Sequence, residues 1–246
     1  DIEGLEDFEF QQEDIDPEKP LKIAIVGRPN VGKSTLLNAI VQDNRVMTGP
    51  EAGITRDAIA VDWDYKERRF KLVDTAGMRR KSRVQDAIEK MSVEDSMRAI
   101  RLAQVVVLVI DGNAIFEKQD LQIAEHVISE GRALVIAVNK WDGLEKSERE
   151  WVTTNIERRL PFLNFAKTHF ISALHGSGVG LLFKSVRQAF QSAMIKVPTS
   201  RLTRVLEDAV ADHPPPLVRG RRIKFRYAHL GGKNPPRIII HGNQTE

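Results

Sequence analysis

Apolar and polar positions along the chain sort into short apolar runs separated by longer stretches with helical spacing. Leu21–Val26 reads Leu-Lys-Ile-Ala-Ile-Val, a strand-type run. Residues 35–41 follow with Leu36, Leu37 and Ile40 on one side, as an amphipathic helix requires. Residues 58–65 and 69–73 alternate with period two around the charged turn Lys66-Glu67-Arg68 and predict a hairpin. Residues 105–110 and 133–138 are continuously apolar, which is what a strand covered on both faces needs, and 168–171 is a further short strand. Helical patterns over 86–102, 117–130, 147–159 and 180–193 separate or follow these runs, with Gly131 as the stop after the second. The order predicts an α/β fold: a doubly wound sheet with one antiparallel edge strand and a ligand site at the carboxyl ends of its strands.

The candidate chemistry falls at those ends. Residues 27–34, Gly-Arg-Pro-Asn-Val-Gly-Lys-Ser, connect the first strand to the first helix, the context a phosphate-binding P-loop requires. Gly27 and Gly32 let successive N–H groups, with those of Asn30 and Val31, turn inward toward phosphate oxygens, and the helix entered through Ser34 and Thr35 adds the positive end of its dipole. Lys33 is placed to reach the β- and γ-phosphates and Ser34 to offer its hydroxyl to Mg²⁺. Asp74-Thr75-Ala76-Gly77 follows the strand that ends at Val73. There an acid can hold Mg²⁺ through water and Gly77 can bring its N–H to a γ-phosphate.

The base is read elsewhere. In Asn139-Lys140-Trp141-Asp142, the Asp142 carboxylate can accept from guanine N1–H and the 2-amino group, donors that adenine lacks. Lys140 can lay its aliphatic stem against the base, and Asn139 can tie this loop to the phosphate loop. Ser172-Ala173-Leu174, after the strand 168–171, can bring a backbone N–H to guanine O6.

Composition narrows the setting. The chain has 246 residues, 41% of them hydrophobic, enough for one large domain and a smaller one. It has no cysteine, which excludes disulfides and thiolate metal sites and fits a reducing cytoplasm. Its longest apolar runs are too short to cross a bilayer. The net charge of +3 conceals an asymmetry: residues 1–20 hold nine acids and one lysine, whereas residues 196–246 hold ten bases and four acids. The acidic head reads as a disordered linker or tail, and the absence of Met at position 1 as a sign of a piece of a longer chain. The basic end points to phosphate-rich partners or is simply a solvated face.

Together these motifs resemble a translation-factor-type P-loop GTPase over residues 21–195. More closely, the P-loop, Asp74-Thr-Ala-Gly-Met, Asn139-Lys-Trp-Asp and Phe170-Ile-Ser-Ala-Leu-His-Gly-Ser-Gly-Val-Gly resemble the second GTPase domain of the Der (EngA) double-GTPase family. Residues 214–229 and 234–243 resemble that family's C-terminal KH-like domain. The resemblance implies GTP hydrolysis to GDP and phosphate, a role in large ribosomal subunit assembly with the ribosome and its RNA as partners, and a first GTPase domain ahead of the acidic linker. Two alternatives stay open: a GTPase of tRNA modification, and a nucleotide-gated scaffold with negligible turnover.

Departures from the family pattern carry further expectations. Gly53-Ile54-Thr55-Arg56-Asp57 has Ile54 where the family has a first threonine, so Thr55 is the switch residue expected to meet Mg²⁺ and the γ-phosphate. Met78 stands where small signalling GTPases place a water-orienting glutamine, and its thioether cannot orient a water. The resemblance offers Asn30 as a ligand for a K⁺ ion that takes the place of an arginine finger; the alternative is that Asn30 merely suits a tight turn. In the C-terminal part, 199–212 predicts an amphipathic helix, and 221–228 and 237–240 predict two strands, an incomplete KH-like domain without a clear Gly-x-x-Gly clamp. Such a module reads either as an RNA binder or as a docking element that senses the neighbouring nucleotide state.

Overall fold

The computed structural model describes residues 19–43, 46–47, 61–65, 68–73, 93–114, 117–159, 163–218, 220–232 and 236–243. They fall into two compact units, one within residues 16–190 and one within 191–246. In the larger unit the elements run β1 (Leu21–Val26), α1 (Lys33–Asp43), β2 (Val46–Met47), β3 (Val61–Tyr65), β4 (Arg68–Leu72), α2 (Val93–Leu102), β5 (Val105–Asp111), α3 (Lys118–Ser129), β6 (Ala133–Asn139), α4 (Lys146–Arg159), β7 (Lys167–Phe170) and α5 (Val179–Ala193).

The seven strands form one sheet in the order β2-β3-β4-β1-β5-β6-β7. Strands β4, β1, β5, β6 and β7 pair in parallel, and β3 is antiparallel to β4. The antiparallel strand expected at this margin is therefore present, with the two-residue β2 flanking it. From β1 the chain runs to the β2–β4 side of the sheet, and from β4 it crosses past β1 to β5, so the crevice at the end of β1 lies at the switch point where ligands bind in such folds.

Burial follows the apolar pattern. Residues of β5 from Val105 to Ile110 are at most 1% exposed, because helices cover both faces of the sheet. Ala99, Ile100, Ile123, Ala124 and Val127 pack against β1, β5 and β6 in one cluster. Toward the antiparallel margin, Trp63 stacks on Phe70 at 5.5 Å and Phe183 of α5 meets both edge-on. The α3 helix ends as expected: Gly131, at φ +63°, lets its own N–H and that of Arg132 reach back to Ile128 and Val127.

At the surface of this margin the Tyr65 hydroxyl donates to the Gly180 carbonyl at 3.1 Å. A Tyr65→Phe variant loses that exposed bond, so urea unfolding should show about 0.5–1.5 kcal/mol less stability with an unchanged slope. No change in midpoint would show that water replaces the bond without cost.

The smaller unit contains α6 (Thr199–Asp212) and the antiparallel pair β8 (Phe225–Gly232) and β9 (Arg237–Gly242). Helix α6 has the predicted bounds. Strand β8 corrects the predicted 221–228: Val218 and Arg221 exchange backbone hydrogen bonds in a turn around Gly220 at φ +76°, so pairing starts later. It also runs on past the predicted end at Ala228, through Gly231 and Gly232. A Cβ on Gly231 would lie 2.2 Å from the Ile239 side chain, so glycine is what lets the two strands pair closely there.

Candidate functional site

The β1–α1 loop has the backbone of a phosphate cradle. Gly27, Asn30 and Gly32 take positive φ values of 151°, 64° and 94°, which turn the chain sharply between strand and helix. The two glycines also need their missing side chains. A Cβ on Gly27 would lie 2.3 Å from the Val109 carbonyl oxygen, and one on Gly32 would lie 2.3 Å from Asn139 Nδ2. Helix α1 starts at Lys33, two residues earlier than predicted, so Lys33, Ser34 and Thr35 form its first turn and their amides belong to its N-terminal end. Lys33 is fully buried and its ammonium donates to the Arg28 carbonyl at 2.7 Å.

Asn139 is the bolt between the motifs. It is 3% exposed, its Nδ2 donates to the Val31 carbonyl at 2.9 Å, and its Oδ1 accepts from the Ala173 N–H at 2.9 Å. One buried amide thus joins the phosphate loop, the end of β6 and the loop after β7. In this arrangement the Ala173 N–H serves the lock, and Leu174 beyond it is 74% exposed.

The Asn139–Asp142 loop is held from several sides. Lys140 adopts the left-handed conformation, φ +63°, and its ammonium pairs with Asp111 at 2.6 Å. Burial alone would raise the Asp111 carboxyl, but hydrogen bonds from Lys140 and Asn113 outweigh it and hold the group below the usual carboxylate range. The Trp141 N–H donates to the Ile171 carbonyl at 3.1 Å, and its ring lies on Phe170 with centroids 4.1 Å apart. The solvent-facing Asp142 carboxyl accepts from the Ser172 hydroxyl, which holds it below the usual range, and His175 Nε2 stands 3.4 Å away. Ser172 thereby acquires a contact that its motif does not imply: it bonds the acid expected to read the base.

Arg28, inside the phosphate loop, was also missed. Its guanidinium turns away from the cradle toward the start of α3, where it meets the Ala114 carbonyl, Asp120 and Glu117. Asp111 could have been found, since it ends a buried strand at the ligand edge of the sheet. Asp120 could not, because it sits in an ordinary helical pattern and only the tertiary fold brings it to Arg28.

The predicted Thr55, Asp74 and Gly77, together with Met78, lie outside the described residues, as do most of the acidic head and positions 86–92 of the helix that ends at Leu102. Of the expected Mg²⁺ ligands the described structure therefore positions only Ser34, on the first turn of α1. Among the described residues no group of three or more His, Asp or Glu could hold a metal, and no helix is long and apolar enough to cross a membrane.

Comparison with known proteins agrees with this geometry. Residues 22–140 match the family model described as 50S ribosome-binding GTPase, and residues 196–246 match the KH-domain-like C-terminal region of EngA bacterial GTPases. GTPase Der of Azotobacter vinelandii is 56% identical over 226 residues, which is 92% of this chain and 46% of that protein. The chain thus spans about half the length of the curated relatives it matches. Among solved structures, elongation factor SelB of Methanococcus maripaludis has a TM-score of 0.54 at 16% identity, covering 74% of this chain and 35% of SelB. An Aquifex aeolicus Era variant has a TM-score of 0.51 at 23% identity, covering 90% of this chain and 77% of Era. At those identities the two structures speak for the fold. A phosphate cradle bolted to a guanine-type loop by Asn139, matches to both family models and 56% identity to a curated relative place the chain in the Der (EngA) GTPase family.

Proposed function

We propose that this chain is a guanine-nucleotide switch that binds GTP, hydrolyses it to GDP and phosphate, and in its GTP state engages the large ribosomal subunit in the cytoplasm. The observation that carries the reading is the Asn139 bridge, which fixes the spacing between the phosphate cradle and Asp142. A nucleotide spanning both loops then meets Lys33 at one end and Asp142 at the other, with Lys140 along the base. Support for the ribosomal partner is the 50S ribosome-binding description of the matching family.

The proposal includes Mg²⁺ bound by Ser34, Thr55 and Asp74, where the ion would neutralise charge on the β- and γ-phosphates. Thr55 and Gly77 would contact the γ-phosphate, which makes the segments around them the parts that respond to hydrolysis. Asn30 is proposed as a K⁺ ligand.

Phosphate release from MgGTP, together with co-sedimentation with large ribosomal subunits in a non-hydrolysable GTP analogue and in GDP, tests the reading. Turnover with sedimentation favoured by the analogue is the expected result; neither turnover nor ribosome binding would remove it. Lys33→Ala deletes the charge-assisted contact to phosphate, so guanine-nucleotide affinity should fall at least about tenfold, measured by titration with a fluorescent GDP. Unchanged affinity would show that the cradle does not hold phosphates.

A further inference from the structure

A cation inside a phosphate loop would be expected to face the phosphates, yet among the described residues the polar contacts of the Arg28 side chain run to α3 and the segment that leads into it. Its Nη2 donates to the Ala114 carbonyl at 2.7 Å, its Nε to Asp120 Oδ1 at 2.9 Å, and its Nη1 meets Glu117 Oε2 at 2.7 Å. The Arg28 side chain is 13% exposed and that of Asp120 fully buried. Asp120 divides its two oxygens: Oδ1 holds Arg28, and Oδ2 accepts from the Glu117 N–H at 3.1 Å at the start of the helix. Meanwhile the main-chain carbonyl of Arg28 accepts from the Lys33 ammonium at 2.7 Å.

We propose that Arg28 and Asp120 are positioning residues for nucleotide binding, a buried clamp that fixes the Arg28 carbonyl and through it the Lys33 ammonium that meets the phosphates. The inference rests on the guanine-nucleotide reading above and assigns that site a support lying in α3, outside every motif. A planar guanidinium suits the task because it bonds a carboxylate, a carbonyl and a second carboxylate at once, which a lysine ammonium on a flexible stem does not do with fixed geometry. Rigid placement matters because a shift of about 1 Å in a positioned group can cost orders of magnitude in function. Burial raises the Asp120 carboxyl and the Arg28 guanidinium lowers it, the balance lying above the usual range.

The test must separate positioning from folding, since removing Arg28 alone leaves Asp120 buried and uncompensated. The double variant Arg28→Met with Asp120→Leu removes both charges and keeps apolar volume, so it should melt within a few degrees of wild type. Fluorescent-nucleotide titration should still show GDP binding about tenfold weaker, with the preference for GDP over inosine diphosphate unchanged, because Asp142 is untouched. Introduced into Lys33→Ala, the same pair should cost less than about threefold, since the clamp acts through the missing ammonium. A double variant that binds GDP like wild type overturns the inference, and so does an equal loss in the Lys33→Ala background. Wild-type protein that binds no guanine nucleotide would overturn the guanine-nucleotide reading itself, and the clamp with it.

Discussion

An Asp142→Asn variant is expected to exchange its preference from guanine to xanthine nucleotides. A carboxylate here would accept from guanine N1–H and the 2-amino group, whereas an amide would present donors to the xanthine 2-oxo oxygen. Sites built around paired polar groups discriminate by about 10⁴-fold, because the wrong partner leaves a desolvated group unpaired. The structure makes the substitution well suited to the test. Asp142 lies at the surface, and its Ser172 contact can be kept by the amide oxygen. The ratio of GTP to xanthosine triphosphate affinities should therefore move by about 10⁴-fold without loss of folding, read by competition against a fluorescent nucleotide. Unchanged GTP binding with no gain for the xanthine nucleotide would show that Asp142 does not read the base.

GTP hydrolysis is expected to depend on K⁺ through Asn30. With Met78 in place of a water-orienting glutamine, charge in the transition state needs another source, and a monovalent cation can act as an arginine finger does, an effect worth up to about 10³-fold or more in rate. The structure sharpens the choice between ligand and turn residue. Asn30 sits at φ +64°, where an L side chain costs roughly 1–2 kcal/mol and asparagine is among the residues that tolerate it. An Asn30→Ala variant therefore disturbs the backbone as well as removing the side-chain carbonyl. Asn30→Gly keeps the turn and removes the side-chain carboxamide. At constant ionic strength, wild-type turnover should be up to about 10³-fold faster in KCl than in NaCl, and Asn30→Gly should lose that difference. Turnover indifferent to the cation, or Asn30→Gly still fully stimulated by K⁺, would assign Asn30 to the turn alone.

Much of this protein was legible without coordinates because its signals are local. Strand, glycine turn and helix around Lys33 need only backbone conformational preferences and a short apolar run. Covered strands such as Val105–Asp111 announce themselves by unbroken hydrophobicity, and α6 by its period. The same local reasoning misplaced β8, where Gly231 and Gly232 look like turn residues in isolation but continue the strand, with Ile239 packed where a Gly231 side chain would be.

The sequence by itself determined the sheet, the backbone of the cradle and the candidate base-reading loop, because each rests on a motif within a few positions of a strand end. The motif also foretold that Asn139 ties its loop to the phosphate loop, a bond made to Val31 across 108 positions. Tertiary structure decided the other ties: the Ala173 N–H closes on Asn139, Ser172 meets Asp142, and Asp120 anchors Arg28 across 92 positions. Hydrogen bonds between residues so far apart have no periodicity to betray them. They exist because parallel strands bring their carboxyl ends to one edge, where buried polar groups must find partners among whatever loops arrive there.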